Sequence, residues 1–457
     1  MSAPTSPPAG PHGQPPHLNR LGRPAQGRRA FLKLAALGAA AGAAACVPIP
    51  ATPTPAWVTL AEPSRTPAPT GRLSGPAVAA IESEMLHLLD SCSIPGLALG
   101  VVKDGRLAFA KGYGVAERST DRPVAGQSVF GWGGIVETMV ATGLMQLRSQ
   151  GKVNLDAPVI HYLPYFKLDD GRYTDVTLRH LLSCTSGLPV CIGEDLECNV
   201  RAGSEDTLER QVRRLAMHKL AHAPGGKFAL NQVGFEVLGD VIAKVSGQAF
   251  EAYMREHVFA PLGLSQTTFS LCDVEPQLMV TPHISRAGDT TRPALADSRA
   301  HAPSGGLFST LDDMTRYALM HLKRGSLDGA EILRADAYDE MWSDQTTTPW
   351  AHIPAGQSEY RNRCLGWYSY LDRGGNRVLF GIGESRGFFA YLELAPLKAA
   401  AVVFAANRYG DLTDWYGDLE PSVSLVMDLA LGNPSRLTPT PFPPTQRHGS
   451  LGGRVAS

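Results

Sequence analysis

One stretch, FGWGGIVETMVATGLMQLRSQGKV from Phe130 to Val153, constrains the fold of this 457-residue chain more than any other. Met139, Leu144 and Leu147 recur at helical spacing with the small Ala141 and Gly143 between them, which predicts a helix buried along one face. A helix buried in this way needs a core beneath it, so its amino end, Gly133-Gly134 followed by Glu137, is held against the rest of a folded domain. One helical turn places Glu137 on the same face as Gly134.

The sequence around this helix divides by composition. A hydrophobic fraction of 44% and a formal net charge of -1 describe a globular protein with no electrostatic case for nucleic acid. Prolines crowd the first 69 residues, which are not expected to fold as a domain. Within them Arg28-Arg29-Ala30-Phe31-Leu32-Lys33 resembles a twin-arginine export signal. The uncharged run Leu34 to Ala45 is shorter than the roughly 18 apolar residues of a spanning helix, so export rather than spanning is the expectation. Ala43-Ala44-Ala45-Cys46 resembles a lipoprotein signal in which Cys46 carries the lipid, although Ala43 stands where Leu is usual and simple cleavage after the Ala-rich run is the alternative. Residues 1–46 are therefore read as a signal and 47–72 as a Pro/Thr-rich spacer that holds a domain away from a surface. The membrane is met through the lipid anchor only. Residues 433–457 are read as a disordered tail.

With Cys46 lipidated, six cysteines remain, and an exported destination permits pairing. Cys191 and Cys198 share one polar loop and are the expected disulfide, whereas Cys92 and Cys184 read equally well as buried free thiols. His180, His222, His283 and His301 are scattered without metal-ligand spacing, so neither a metal nor a cofactor is expected.

Local signals predict an α/β protein with an all-α part. Ser74 and Pro76 open a helix whose apolar face runs through Val78, Ile81, Met85 and Leu88. Strand-like runs at 96–102 and 106–112 are joined through Asp104-Gly105, a hairpin signal. Helical patterns fill the middle of the chain: Thr177 opens one, Val233 to Ser246 stops at Gly247, and Thr310 with Asp313 resembles a capping box. Strand signals return at Arg377 to Ile382, Gly387 to Leu394 and Ala399 to Ala405, before a last helix from about Pro421 to Leu431. Sheet pieces at both ends, about 73–130 and 311–432, with a helical region at about 131–310, give one antiparallel sheet flanked by helices with an inserted helical region, together a domain over 73–432. The cleft belongs where sheet and insertion meet.

Several stretches, in order, resemble the class C β-lactamase-like branch of the serine β-lactamases and D-alanyl-D-alanine peptidases. They are Ile94-Pro95-Gly96-Leu97-Ala98, the Phe130 to Val159 block, VTLRHLLSCTSGLP from Val176, PGGKFALNQVGFEVLGDVIAKVSG from Pro224, FAPLGLSQTTF from Phe259 and SGGLFST from Ser304. The late strand pair completes them. The resemblance implies a β-lactamase/transpeptidase-like fold and a mechanism in which an activated Ser is acylated, a Tyr shuttles protons and a strand cation holds the substrate carboxylate. In this sequence each of those roles falls on a residue unable to perform it. Gly134 stands at the Ser position and Glu137 at the Lys position; Leu230-Asn231-Gln232 replaces Y-S-N; Gly381-Ile382-Gly383 replaces the cationic strand motif. Gly134, Glu137, Leu230, Gln232, Gly381 and Gly383 are thus family-equivalent cleft positions with no intact catalytic residue. Ser183 and Ser186 fall in a stretch where the family's Ser-Gly is structural.

Two functions follow from the resemblance. The first is an exported pseudoenzyme that binds a cell-wall peptide or a partner protein in its cleft. The second is a hydrolase of esters, amides or peptides with a rebuilt mechanism, in which Glu137 activates water in the room left by Gly134. Arg386, just beyond the strand that usually supplies the positive charge, is the expected counter-charge for Glu137, and the bland alternative leaves Glu137 solvated near the helix dipole for only ~0.3 to 1 kcal/mol.

Overall fold

The structure is a computed structural model that describes residues 72–190, 206–286, 289–293, 295, 299–349, 360–372, 374–410 and 412–432. The signal, spacer and tail, with Cys46, Cys191 and Cys198, lie outside the described residues.

Chain order begins with α1 (Gly75–Ser91), started by the Ser74 side chain, which accepts from the Ala77 amide. The hairpin follows as β1 (Gly96–Lys103) and β2 (Arg106–Glu117), turned at Asp104 and Gly105 with φ of 54° and 67°. Two consecutive positive φ values make the tight turn whose twist matches that of the strands. After β3 (Arg122–Pro123), a short 3-10 turn at Gly133–Ile135 leads into α2 (Val136–Ser149), the helix at the centre of the sequence argument. Helices α3 (Thr207–Arg214) and α4 (Gln232–Ser246) continue the insertion; α4 ends at Gly247, which takes φ 75°. Helix α5 (Leu311–Leu322) is capped by Thr310, whose side chain accepts from the Asp313 amide. Asp313 does not reciprocate as a capping box would, because its carboxylate accepts from the Gln266 amide and the Thr267 hydroxyl instead.

The second half of the sheet comes late in the chain. Helix α6 (Ala337–Met341) precedes β4 (Thr346–Pro349), β5 (Tyr360–Arg363), β6 (Tyr368–Leu371), β7 (Arg377–Ser385), β8 (Phe388–Ala395) and β9 (Ala400–Ala406). The nine strands form one sheet in the order β4-β5-β6-β7-β8-β9-β1-β2-β3, antiparallel at every pairing. Strands from both ends of the chain thus meet where β9 pairs with β1, Leu99 opposite Phe404. The expected class, an antiparallel sheet flanked by helices with a helical insertion, is the class observed. The last helix, α7 (Leu412–Leu431), begins ahead of Pro421, which sits inside it rather than at its start. A proline there removes one backbone donor but does not end the helix, whose second half buries Val423, Val426 and Met427.

Burial explains why the central strands lack polar alternation. Ala401, Val403 and Ala405 of β9 enter the core shared with α2, α4 and α5, while Val402, Phe404 and Ala406 enter the core under α1 and α7. Both faces are covered, so every residue of β9 is buried. Short β4 and β5 are not signalled by the sequence because their four-residue runs carry Thr, Arg and Asn where a core strand would carry aliphatics, and β6, Tyr-Ser-Tyr-Leu, is only four residues long.

At the end of α5 a histidine is enclosed by rings. His321 is fully buried among Tyr317, Tyr338, Trp342 and Trp367, with ring centroids 4.5 to 6.3 Å away, and its Nδ1 lies 3.0 Å from the Tyr338 hydroxyl. Burial pushes its pKa from 6.5 down to about 3. The unfolded chain takes up this proton near pH 6.5 and the native state does not, so stability is complete above that pH and falls as pH drops toward 3, by about 1.4 kcal/mol per unit. Asp240 and Asp313, whose carboxyls burial raises to about 6, pull in the opposite direction. Urea denaturation of the wild type and His321→Phe at pH 7 and pH 4.5 therefore isolates the histidine: the wild type is expected to lose more stability over that range, and equal losses would contradict the assignment.

Candidate functional site

Gly134 of the 3-10 turn, Glu137 of α2 and Gly381 and Gly383 of β7 come together where the turn and α2 meet β7, while Leu230 and Gln232 lie at the start of α4. The turn lies directly on the strand backbone. A Cβ on Gly134 would stand 2.7 Å from the Ile382 carbonyl oxygen, one on Gly133 2.4 Å from the Glu384 oxygen, and one on Gly383 1.8 Å from the Trp132 oxygen. Gly133 also takes φ 46°. Trp132 anchors the turn from below by donating its Nε1-H to the Ser309 carbonyl at 2.9 Å. The room that a glycine at the nucleophile position could leave for a water is therefore taken up by β7. Gly381 fits against α2 just as closely, with its Cβ position 3.1 Å from Thr138 Cγ2.

Glu137 occupies the first turn of α2 and is buried, only 7% exposed. The sequence expectation of a solvated residue, or of one compensated by Arg386, is corrected here. Its partner is Arg363 from the end of β5, whose Nη2 donates to Glu137 Oε2 at 2.6 Å, with the two side chains 1% and 9% exposed. Nothing in the spacing of the two residues, 226 apart, announces this pair. The available signal was Arg361-Asn362-Arg363 ahead of Cys364-Leu365-Gly366-Trp367, two cations of one strand face leading into an apolar turn.

Other groups fix the arginine. Its guanidinium carbon lies 4.3 Å from the Tyr368 ring centroid and 5.6 Å from that of Phe235, both within reach of a cation–π contact. The turn beyond it, Cys364 to Trp367, lies flat on α2 because Gly366 takes φ 75° and has no side chain: a Cβ there would stand 2.5 Å from the Ala141 Cβ. The Gly366 amide donates to the Leu182 carbonyl at 3.0 Å. Cys184 is buried against the same pair as a free thiol, pushed up to about 11 by burial against the opposing pull of the Arg363 charge. Burial also raises the Glu137 carboxyl, against the pull of Arg363.

The remaining positions are dispersed around this pair. Asn231 is buried, and its Nδ2 donates to Ser186 Oγ at 2.9 Å, a structural role for Ser186 as expected. Leu230, where the family places its proton-shuttling Tyr, is 44% exposed, and Val190 beside the same segment is 49% exposed; the Val190 carbonyl accepts from the Gln232 amide. These two side chains thus present apolar surface beside the start of α4. The His301 ring and the Ser304 hydroxyl both bond Glu236, and Ser304 meets His301 only at its backbone carbonyl, so this cluster lacks a hydroxyl-to-imidazole relay. Among the described residues no group of three or more His, Cys, Asp and Glu is placed to hold a metal ion. Cys272 is disulfide-bonded.

This geometry leaves little room for a side chain at position 134. Gly134→Ser adds a Cβ into the Ile382 carbonyl, so the variant is expected to be destabilised by about 1 to 3 kcal/mol, as overpacking of a tight contact is, and to take up no penicillin label. Thermal unfolding together with gel detection of a fluorescent penicillin checks both, and a stable, labelled Gly134→Ser would contradict the closed contact.

Comparison with known proteins agrees with the fold and the aligned stretches. Residues 79–420 match the family described as Beta-lactamase. Penicillin-binding protein 4 of Amycolatopsis lactamdurans is 30% identical over 334 residues, covering 71% of this chain and 84% of that one. Protein flp of Staphylococcus aureus strain MW2 is 30% identical over 340 residues, 74% of this chain and 64% of its own length. Among solved structures, the octameric penicillin-binding protein homologue from Pyrococcus abyssi superposes with a TM-score of 0.64 at 23% identity, over 78% of this chain and 77% of that one. With this match and the shared architecture, the chain belongs to the β-lactamase family.

Proposed function

We propose that the protein is an exported pseudoenzyme of the β-lactamase family, held at the membrane by a lipid on Cys46, that binds a cell-wall peptide or a partner protein in its cleft without forming an acyl-enzyme. The observation that carries this reading is the buried pair of Glu137 with Arg363. Acylation needs a hydroxyl activated by a neighbouring base. This site offers glycine in place of the hydroxyl and a carboxylate tied to a guanidinium in place of the base. Export is supported by the arginine pair and apolar run of the leader, and by the disulfide at Cys272, which suits an oxidising compartment.

The ligand of this cleft differs from that of the active relatives in one respect. With Gly381 at the cationic position and Arg363 committed to Glu137, no cation from these positions remains to hold a terminal carboxylate, while Leu230 and Val190 offer apolar contact.

The second reading, water activated by Glu137, draws on one observation, the raised carboxyl pKa. Against it stand the 7% exposure of that residue and its contact with Arg363. Both readings meet in one experiment. Purified protein is expected to form no covalent adduct with a labelled penicillin, and any slow hydrolysis of a chromogenic ester is expected to be unchanged in Glu137→Gln. Loss of a measurable turnover in Glu137→Gln but not in Gly134→Ala would replace the pseudoenzyme by the rebuilt hydrolase.

A further inference from the structure

Away from the cleft, a cavity of about 470 Å³ opens between the end of β2, β3 and the segment 276–282. Its walls are of two kinds. Met279, Pro282 and Leu295 supply apolar surface, and Arg122 and Arg292 supply charge. The carboxylate in the wall, Glu117, is already engaged: it accepts from the Thr281 hydroxyl and from the amide and hydroxyl of Ser119, and Arg292 lies 3.6 Å away. These bonds hold its carboxyl down at about 2. Glu117 is therefore ionised, steadies Arg292 and offsets one of the two arginine charges in the lining, which leaves Arg122 unbalanced.

The arginines here outnumber the acids. Arg122 donates to the Met279 carbonyl but has no acidic partner among the described residues. Arg118, next along the chain from Glu117, is exposed and lies within electrostatic range of Arg408 and His283, which face each other across neighbouring strands. Arg122 and Arg292 line the cavity itself, while Arg118 and Arg408 lie outside its lining. With Glu117 as the one lining carboxylate, the cavity keeps an excess of positive charge that an anion would balance. Guanidinium forks suit the oxygens of a phosphate, and the volume is that of a small-ligand site.

We propose that this cavity binds a phosphate group carried on an apolar body, with the phosphate on Arg122 and Arg292 and the apolar part against Met279, Pro282 and Leu295. A lipid headgroup and a soluble phosphate ester share this chemistry. The site is independent of the cleft.

Calorimetric titration with inorganic phosphate tests it. Wild-type protein is expected to bind, and Arg122→Gln and Arg292→Gln each to bind at least about tenfold more weakly, as loss of a charged hydrogen bond predicts. Arg292 is largely exposed, so its variant keeps the test open should Arg122→Gln misfold. Leu230→Tyr in the cleft is expected to bind phosphate as wild type does. Sedimentation of the Cys46→Ser protein with phosphatidylglycerol vesicles and with phosphatidylcholine vesicles then identifies the source: selective binding to the former assigns a lipid headgroup, and binding to neither, with phosphate binding retained, assigns a soluble ester. Absence of phosphate binding at millimolar concentration, or equal binding by Arg292→Gln, overturns the proposal.

Discussion

The buried pair of Glu137 and Arg363 is the interaction around which the rest of this site is arranged. Two charges moved out of water lose several kcal/mol of hydration each, and only close geometry with further partners returns it. Here the carboxylate meets the guanidinium at 2.6 Å, the aromatic rings of Tyr368 and Phe235 face the cation, and Cys184 lies against both. A lone Glu137 in this position would not be tolerated. The glycine at 366 allows the strand turn carrying Arg363 to reach the first turns of α2, and the glycines at 133, 134 and 383 allow the 3-10 turn just ahead of the same helix to rest on β7. Backbone packing and electrostatics thus fill the same volume from two sides.

The residues at the positions singled out by the resemblance fit one another. The Glu137 carboxylate is matched by Arg363 from β5, a strand outside the motifs. Gly381 packs against Thr138 of α2 and brings no charge near the pair. Asn231 turns to Ser186 within the core, and Leu230 is left at the surface. The family's fold is kept, and at these positions the residues pack against one another.

Much of this was legible in the chain itself, for identifiable reasons. The hairpin at Asp104-Gly105, the cap at Ser74 and the stop at Gly247 are local signals, set by backbone preference within a few residues, and each stands where its chemistry demands. The fold followed from the order of these signals and from the resemblance. Arg363 was not legible, because its role is fixed by a partner 226 residues away and by a four-residue strand too polar to be recognised as core. Arg386 was preferred on nearness in sequence, which carries no information about distance across a sheet. Burial of Glu137 was missed for the same reason: Gly366 brings the covering turn onto α2 from a distant part of the chain.

A double-mutant cycle on Glu137 and Arg363 tests the central claim most directly. Glu137→Ala and Arg363→Ala, measured by urea unfolding at neutral pH, should each cost about 3 to 5 kcal/mol because each leaves the other charge buried and unpaired. The double variant should cost clearly less than the sum of the two. Additive costs, or single costs near zero, would mean that the two residues do not form the buried pair on which this account depends.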